Sequence, residues 1–391
     1  MLNRQEAEKM VRENILFFWQ GMKDTENGGF YGEADFYGRI DKTKDKGCIL
    51  NSRILWTFSA AYRLFGDESY KAAAKHAKDF LVSAFYDREF GGLYWLTDNS
   101  GRPLQTRKQF YNIAFGIYAL SEYYLAVKDQ SSLELALALF DVTEKYGLDK
   151  KDGGYTEACK REWDEIGDFR LSDKEINCPK SMNTNLHIME AYTTLAHASA
   201  DERVKDALKK ILRVTMDRIV NDRWHFDLFF NMDWKPLSKE VSWGHDIEGS
   251  WLLYEAALET GDKSLIGEGK HSALKIADVI YNTALDKKNG GLFSGCNEEG
   301  VICSKKEWWP QAEAVAGFYY AYKLSGERKY FDAADGVWNY ISNHFTDYAN
   351  GEWHNELNPG NTPDTSMPKA GFWKCPYHNS RACFEIIKRT D

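Results

Sequence analysis

The chain has 391 residues, 43% of them hydrophobic and 15% aromatic, with a formal net charge of -9. An acidic balance with no cluster of Lys or Arg argues against nucleic acid or an anionic membrane as the main partner and favours a small neutral ligand. Seven cysteines, none in a C-x-x-C or other zinc-type spacing, suggest reduced thiols in the cytoplasm rather than a disulfide framework.

From residue 2 to 21, charged and apolar residues alternate at helical spacing without a signal-peptide core or a membrane span, so this stretch reads as the first helix of the fold. A turn follows at Asn27-Gly28-Gly29-Phe30-Tyr31. Turns of the same kind return at Phe90-Gly91-Gly92-Leu93-Tyr94, Asp152-Gly153-Gly154-Tyr155, Asn289-Gly290-Gly291-Leu292-Phe293 and, more weakly, Asn350-Gly351-Glu352-Trp353. The intervals are about 60 to 65 residues, and the one double-length gap holds a degenerate copy, Arg223-Trp224-His225-Phe226-Asp227. Paired glycines supply the positive φ of tight turns.

Between successive turns lie two helix-length patterns, one amphipathic and one apolar nearly all round. The amphipathic set falls near 2–21, 67–85, 131–147, 201–220, 262–284 and 328–345, and the buried set near 49–65, 109–127, 183–199, 245–260, 309–325 and 377–389. Helix pairs in series form either an open superhelix or a closed ring. With neighbouring helices about 8–10 Å apart, an open array would leave His187 and His378 three units apart and unable to share a ligand. The expectation is therefore an all-α (α/α)6 barrel of six inner and six outer helices, with the glycine turns as short hairpins at one end and residues 1–391 forming a single domain.

Three histidines carry the chemistry in this reading. His187, His245 and His378 each stand near the start of a buried segment, at what reads as an equivalent place in three copies of the repeat, and histidine suits both taking and giving a proton near neutrality. His76, His197 and His271 in mid-helix, and His225, His344 and His354 near turns, read as structural. Arg53 sits within a buried segment, where an unpaired guanidinium is costly, so it is expected to face a lumen, a carboxylate or a ligand oxygen. Tyr111, Asn112, Asn183 and Asn185 begin inner helices as candidate ligand contacts or N-caps. Glu190, Glu248 and Glu313, one per inner helix, are expected to orient a histidine or bind a sugar hydroxyl. Trp308, Trp309 and Trp373 stand at helix mouths, where aromatic faces stack on sugars. On these residues alone three classes stay open: a histidine-based epimerase or isomerase, a metal site built from His187, Glu190, His245 and Glu248, and a carboxylate glycoside hydrolase. A pH profile flat down to about pH 4, near carboxylate pKa values, would favour the last.

The segments Lys46 to Trp56, Asn183 to Glu190, Trp243-Gly244-His245-Asp246-Ile247-Glu248, Glu307-Trp308-Trp309-Pro310-Gln311-Ala312-Glu313 and Trp373-Lys374-Cys375-Pro376-Tyr377-His378-Asn379 resemble, in this order, the N-acylglucosamine 2-epimerase superfamily. The last resembles its cellobiose-acting branch more than the N-acetylglucosamine-acting one. The resemblance implies an (α/α)6 barrel and a cofactor-free, metal-free reaction in which the reducing-end glucose of a β-1,4-linked disaccharide becomes mannose. It further implies His245 and His378 as the acid/base pair, with Glu248 setting the orientation of a catalytic histidine. His187 and Arg53 would polarise the carbonyl. Tyr111 and Asn183 would bind the open-chain sugar with Glu190 and Glu313, and Trp308 and Trp373 would stack on the two sugar units. The expected partner is a small sugar, with no nucleic acid and no membrane, and the chain is expected to be a monomer or a weak homo-oligomer.

Overall fold

The computed structural model describes residues 2–173 and 175–390. Twelve helices follow one another in six units among these residues. They are α1 (4–21) and α2 (Cys48–Phe65), α3 (68–85) and α4 (Phe110–Val127), α5 (Gln130–Tyr146) and α6 (Met182–Ser199), α7 (202–219) and α8 (Trp243–Thr260), α9 (Lys263–Thr283) and α10 (Trp308–Ser325), and α11 (328–345) and α12 (Tyr377–Arg389). The even-numbered helices are the inner set. Residues Cys48 to Ala61 of α2 are buried without a break, which is why the segment is apolar nearly all round. In α7 the buried residues of the α-helical part are Val204, Ala207, Leu208, Ile211 and Leu212, a single stripe at the helical repeat.

The inner helices pack in cyclic order α2, α4, α6, α8, α10 and α12, and α12 returns to α2. Each outer helix packs on the inner helix before it, with α1 resting on α12. The expected (α/α)6 barrel is thus the observed fold. None of these helices is long and apolar enough to cross a membrane.

The two ends of the barrel differ. Inner helices run into outer ones through two residues, Gly66-Asp67, Lys128-Asp129, Ala200-Asp201, Gly261-Asp262 and Gly326-Glu327. The first residue of each pair is left-handed, and Asp67, Asp201 and Asp262 then cap the next helix through their carboxylates. These are the short connections of the fold. The glycine turns lie at the opposite end, within long outer-to-inner connections that carry small antiparallel strand pairs. The strand entering each inner helix pairs with the next unit, as Lys46–Gly47 does with Leu96–Thr97 and Lys306–Glu307 with Glu356–Asn358. The Ala34 N–H donates to the Ala370 carbonyl at 3.0 Å and closes this circle as well.

One polar residue per inner helix fixes its register against the turn before it. Asn51 Oδ1 accepts from the Phe30 N–H at 3.1 Å, Asn185 Oδ1 from Tyr155 at 2.8 Å, Asp246 Oδ1 from Phe226 at 2.7 Å and Gln311 Oε1 from Leu292 at 2.8 Å. Asn112 Nδ2 donates to the Tyr94 carbonyl at 3.0 Å, and Asn379 Nδ2 to Glu352 Oε1 at 2.6 Å. Asn112 and Asn185 are therefore structural anchors. Gly29 shows why glycine is needed here: φ is +65° and an added Cβ would fall 2.4 Å from the Phe80 ring and 2.9 Å from Asn51 Oδ1.

A buried ion pair recurs beneath the same turns and was not anticipated from the sequence. Lys46 meets Asp24 at 2.6 Å, Lys108 meets Asp87 at 2.8 Å, Lys180 meets Asp149 at 2.6 Å and Lys306 meets Asp286 at 2.7 Å, with Lys369 on Asp347 completing the series. The Asp stands four residues before the first glycine of each turn, and the lysines at 46, 108, 180 and 306 stand two residues before an inner helix.

Counting from the anchors corrects the reading of the histidines. His245 and His378 each stand one residue before an anchor, as does Tyr111. His187 stands two residues after its anchor, three positions later and so nearly one turn deeper on the same face. It shares that deeper level with Arg53, Glu248, Glu313 and Arg381. The three histidines are not equivalent: two form an upper tier and one belongs to a lower tier of charged groups.

Candidate active site

The inner helices begin around a cavity of about 440 Å³ lined by Arg53, Tyr111, Asn183, His187, His245, Glu248, Trp308, Trp309, Trp373 and His378, together with loop residues. Nine of the eleven site residues expected from the sequence therefore face one space. The other two, Glu190 and Glu313, are buried behind the histidines and do not reach it.

His378 is held through Nδ1, 2.7 Å from Glu313 Oε1. Glu248 Oε1 is farther from the same nitrogen, at 3.7 Å. The expected roles are thus exchanged. Glu313 orients the histidine, while Glu248 lines the cavity with a buried Oε2 that has no hydrogen-bond partner. Burial, and then the neighbouring Glu313 charge, push the Glu248 carboxyl up to about 7, so it is suited to meet a sugar hydroxyl as donor or acceptor. His187 repeats the arrangement, with Nδ1 2.8 Å from Glu190 Oε2. Burial works against ionisation of Glu190, yet Arg381 and the His187 contact hold it down to about 2. A carboxylate can only accept, so in both pairs the imidazole donates Nδ1–H and leaves Nε2 for the cavity.

His245 has no carboxylate on Nδ1; Ser242 Oγ stands 2.7 Å from it. Burial first, then the charges of His187 and Arg53, push its pKa down to about 3, and burial with Arg53 and Arg381 pushes His378 down as well. Both are neutral imidazoles at physiological pH, ready to take a proton. They lie on α8 and α12, either side of α10, and the ring of Trp309 on α10 touches both, with centroid distances of 4.7 Å to His245 and 5.6 Å to His378. Arg53 is also buried. Its Nη2 donates to Tyr111 Oη at 2.6 Å, its Nη1 lies 3.8 Å from Cys375 Sγ, and its Nε has no partner. Neither contact is a carboxylate, so the guanidinium charge is left for whatever enters the cavity.

Taken together the site offers two neutral bases beside one cation, with aromatic walls. The description N-acylglucosamine 2-epimerase (GlcNAc 2-epimerase) matches residues 29–382. The chain belongs to the N-acylglucosamine 2-epimerase family. Cellobiose 2-epimerase of Bacteroides fragilis is 43% identical over 386 residues, covering 98% of each chain. Among solved structures, a sugar epimerase from a ruminal bacterium superposes with a TM-score of 0.95 at 39% identity, over 99% of this chain and 98% of that one. Cellobiose 2-epimerase from Bacillus thermoamylovorans does so with a TM-score of 0.94 at 36% identity, over 99% of both.

Within this family member the aromatic groups divide in two. Trp308 is buried, edge-on to His378, with Lys374 Nζ 4.1 Å above its ring, so it shapes the wall beside the histidine. Trp373 is 39% exposed at the mouth and touches Trp95 and Tyr111 at 6.0 Å each. Replacement of Trp373 by alanine is expected to raise KM about three- to tenfold with a smaller change in kcat, the loss of one stacking contact. Steady-state kinetics check this; an unchanged KM would show that the ring does not touch substrate.

The structure adds lining residues that sequence reasoning missed: Ser172 and Glu175 from the connection before α6, and Asn355, Pro368 and Phe372 from the connection before α12. They lie in irregular segments with no periodicity to read. Trp309, read from the sequence only as one of three rings at helix mouths, is the residue that bridges the two upper histidines.

Proposed function

We propose that this chain reversibly epimerises carbon 2 of the reducing-end glucose of β-1,4-linked disaccharides, cellobiose foremost and lactose also, yielding the mannose-ended sugar. The observation that carries this reading is the pair of neutral, buried histidines on either side of Trp309, within reach of a guanidinium that no carboxylate neutralises. Full-length relatives at 36–43% identity that are named cellobiose 2-epimerases support it.

The chemistry follows from where protons can go. Only the open-chain aldehyde has an acidic proton at carbon 2. One histidine Nε2 removes that proton, and the electron pair forms the carbon 1–carbon 2 double bond while negative charge moves to the carbonyl oxygen. Arg53, with His187, both buried in the cavity wall, offsets that charge. The second histidine, having first taken up a proton from water at its own Nε2, delivers that proton to the other face of carbon 2. The double-bond electrons form the new C–H bond, the carbonyl is restored with inverted configuration, and the first histidine releases its proton to water. Return of the proton to carbon 1 instead gives the ketose as a slow side product. Tyr111 and Asn183 hold the open chain, and Trp308 and Trp373 contact the sugar units.

The hydrolase alternative needs two carboxyl groups free to flank a glycosidic bond. Of the glutamates on α6, α8 and α10 nearest the histidines, Glu190 and Glu313 are occupied by histidines and Arg381, which leaves Glu248, while Glu33, Glu175 and Glu307 reach the cavity from the connecting segments. Glu248, Glu313 and His378 bring three donor atoms within 4.8 Å of one another, but Arg381 Nη2 bonds both carboxylates, and a guanidinium supplies the positive charge there. The reading takes residues 1–391 as one catalytic domain acting without added metal or cofactor. Seven cysteines present as free thiols support a cytoplasmic setting.

The deciding experiment incubates EDTA-treated protein with cellobiose in D2O and follows products by NMR. Glucosyl-mannose deuterated at carbon 2 is the expected result. Exchange confined to free glucose, mannose or N-acetylglucosamine would move the substrate class, and free glucose without exchange would overturn the mechanism.

A further inference from the structure

Arg381 lies on the lower tier of the lumen, buried, and belongs to none of the roles assigned so far. Its Nη2 bonds Glu248 and, at 2.6 Å, Glu313; its Nη1 bonds Glu190 and the Tyr377 hydroxyl. Its guanidinium lies between aromatic faces, 4.8 Å from the Trp251 ring and 4.3 Å from that of Tyr377. Trp251 in turn donates Nε1–H to Glu313 Oε2 at 3.2 Å. One guanidinium therefore meets Glu190, Glu248 and Glu313, two of which hold histidines.

We infer that Arg381 is a positioning residue that decides which nitrogen of His378 carries the proton, by ion-pairing with Glu313 so that this carboxylate accepts from Nδ1–H and Nε2 stays free as the base. The argument is one of proton placement. Three buried carboxyl groups around one cation repel one another, and burial holds the Glu313 carboxyl above its ordinary value, with Arg381 the first influence opposing that rise. If Glu313 kept its proton it would donate to Nδ1, the imidazole would carry its hydrogen on Nε2, and the base would become an acid. The geometry 2.7 Å from Nδ1 would be unchanged while the reaction stopped. The groups facing this cluster from every inner helix are Arg53 on α2, Tyr118 on α4, His187 and Glu190 on α6, His245 and Glu248 on α8, Glu313 on α10 and Tyr377 on α12. Arg381 is the one cation among them that bonds the carboxylates directly. The same bridge ties the His187–Glu190 pair to the His378–Glu313 pair, so the histidine that meets the carbonyl oxygen and the histidine that moves the proton are set together.

This inference rests on the epimerase reading for its kinetic arm only; its spectroscopic arm needs no substrate. In the wild-type protein labelled with 15N-histidine, His378 should show a protonated Nδ1 and a bare Nε2 from about pH 9 to about pH 5, well below the ordinary histidine pKa near 6.5. In R381Q the hydrogen should move to Nε2, kcat should fall roughly 10²-fold or more, KM should stay within about threefold, and the acid limb of the pH–rate profile should move upward, because Glu313 holds its proton to higher pH. R381K keeps the charge but not the three-way bridge; it should retain the wild-type tautomer and lose less activity than R381Q. A folded R381Q with the wild-type tautomer, an unmoved pH profile and only a lower melting temperature would make Arg381 a purely structural residue. A wild-type His378 that protonates near pH 6.5 or carries its hydrogen on Nε2 overturns the inference whether or not either variant folds. Absence of carbon-2 exchange in the wild type would fail the epimerase reading and leave the tautomer result standing.

Discussion

Alanine at His378 or at His245 is expected to lower kcat by about 10²–10⁴-fold, the usual range for loss of a positioned acid or base. Both reach the same cavity, both contact Trp309, and each stands one residue before the anchor of its helix. Each single variant keeps one base, so each should still exchange the carbon-2 proton of one epimer with D2O while failing to invert it. Which epimer exchanges identifies the face that the remaining histidine serves. Turnover within tenfold of wild type in either variant would remove that residue from the acid/base pair. The pH profile adds a second check. Because burial and neighbouring positive charge push the His245 pKa down to about 3, the base is neutral above that value and is lost only as pH falls through it. Activity should hold from neutrality to below about pH 5, under the ordinary histidine value of 6.5; an acid limb centred at 6.5 would contradict the assignment. The sequence-based expectation that a flat profile marks a hydrolase therefore does not apply to this site.

Methionine at Arg53 is expected to cost about 10²–10³-fold in kcat, in line with removal of a preorganised group that stabilises an oxyanion. The physical reason is the company Arg53 keeps. Its hydrogen-bond partners are a tyrosine hydroxyl and a thiol, and the Phe115 ring lies 4.2 Å from the guanidinium carbon. A charge buried against such neighbours destabilises the empty protein, whereas charge developing on the substrate oxygen compensates it. The same variant should thus match or exceed the wild type in melting temperature while losing turnover. Lysine should restore little, since a point charge on a flexible stem cannot reproduce the planar fork that meets Tyr111 and Cys375 together. Thermal melts and steady-state kinetics read the two effects separately. An R53M protein that is less stable but within tenfold in kcat would mean that Arg53 supports the barrel wall and not the reaction.

Much of this fold was legible because the inner helices are apolar around their whole circumference and the outer ones are not, so period and composition separate them cleanly. The observed helices begin and end within about two residues of the expected limits. The register within that frame was hidden, because the anchoring residue is Asn, Asp or Gln in different units and no single residue type marks it. Without the register His187 looked equivalent to His245 and His378. The exchange of roles between Glu248 and Glu313 was hidden for a related reason: adjacent inner helices present glutamates at one level, and only their packing decides which touches His378. The aspartates of the recurring Asp–Lys pairs, by contrast, stood four residues before the first glycine of each paired turn and were open to reading.

All six inner helices start at the cavity and run away from it, since every glycine turn lies at one end and every two-residue connection at the other. Their peptide dipoles therefore point the same way. Each helix brings roughly half a positive elementary charge to its first turn, and six such ends surround the place where an enediolate would form. This field is built from backbone and survives any change of side chain. It lets a chain with a formal net charge of -9 keep a lumen that welcomes transient negative charge.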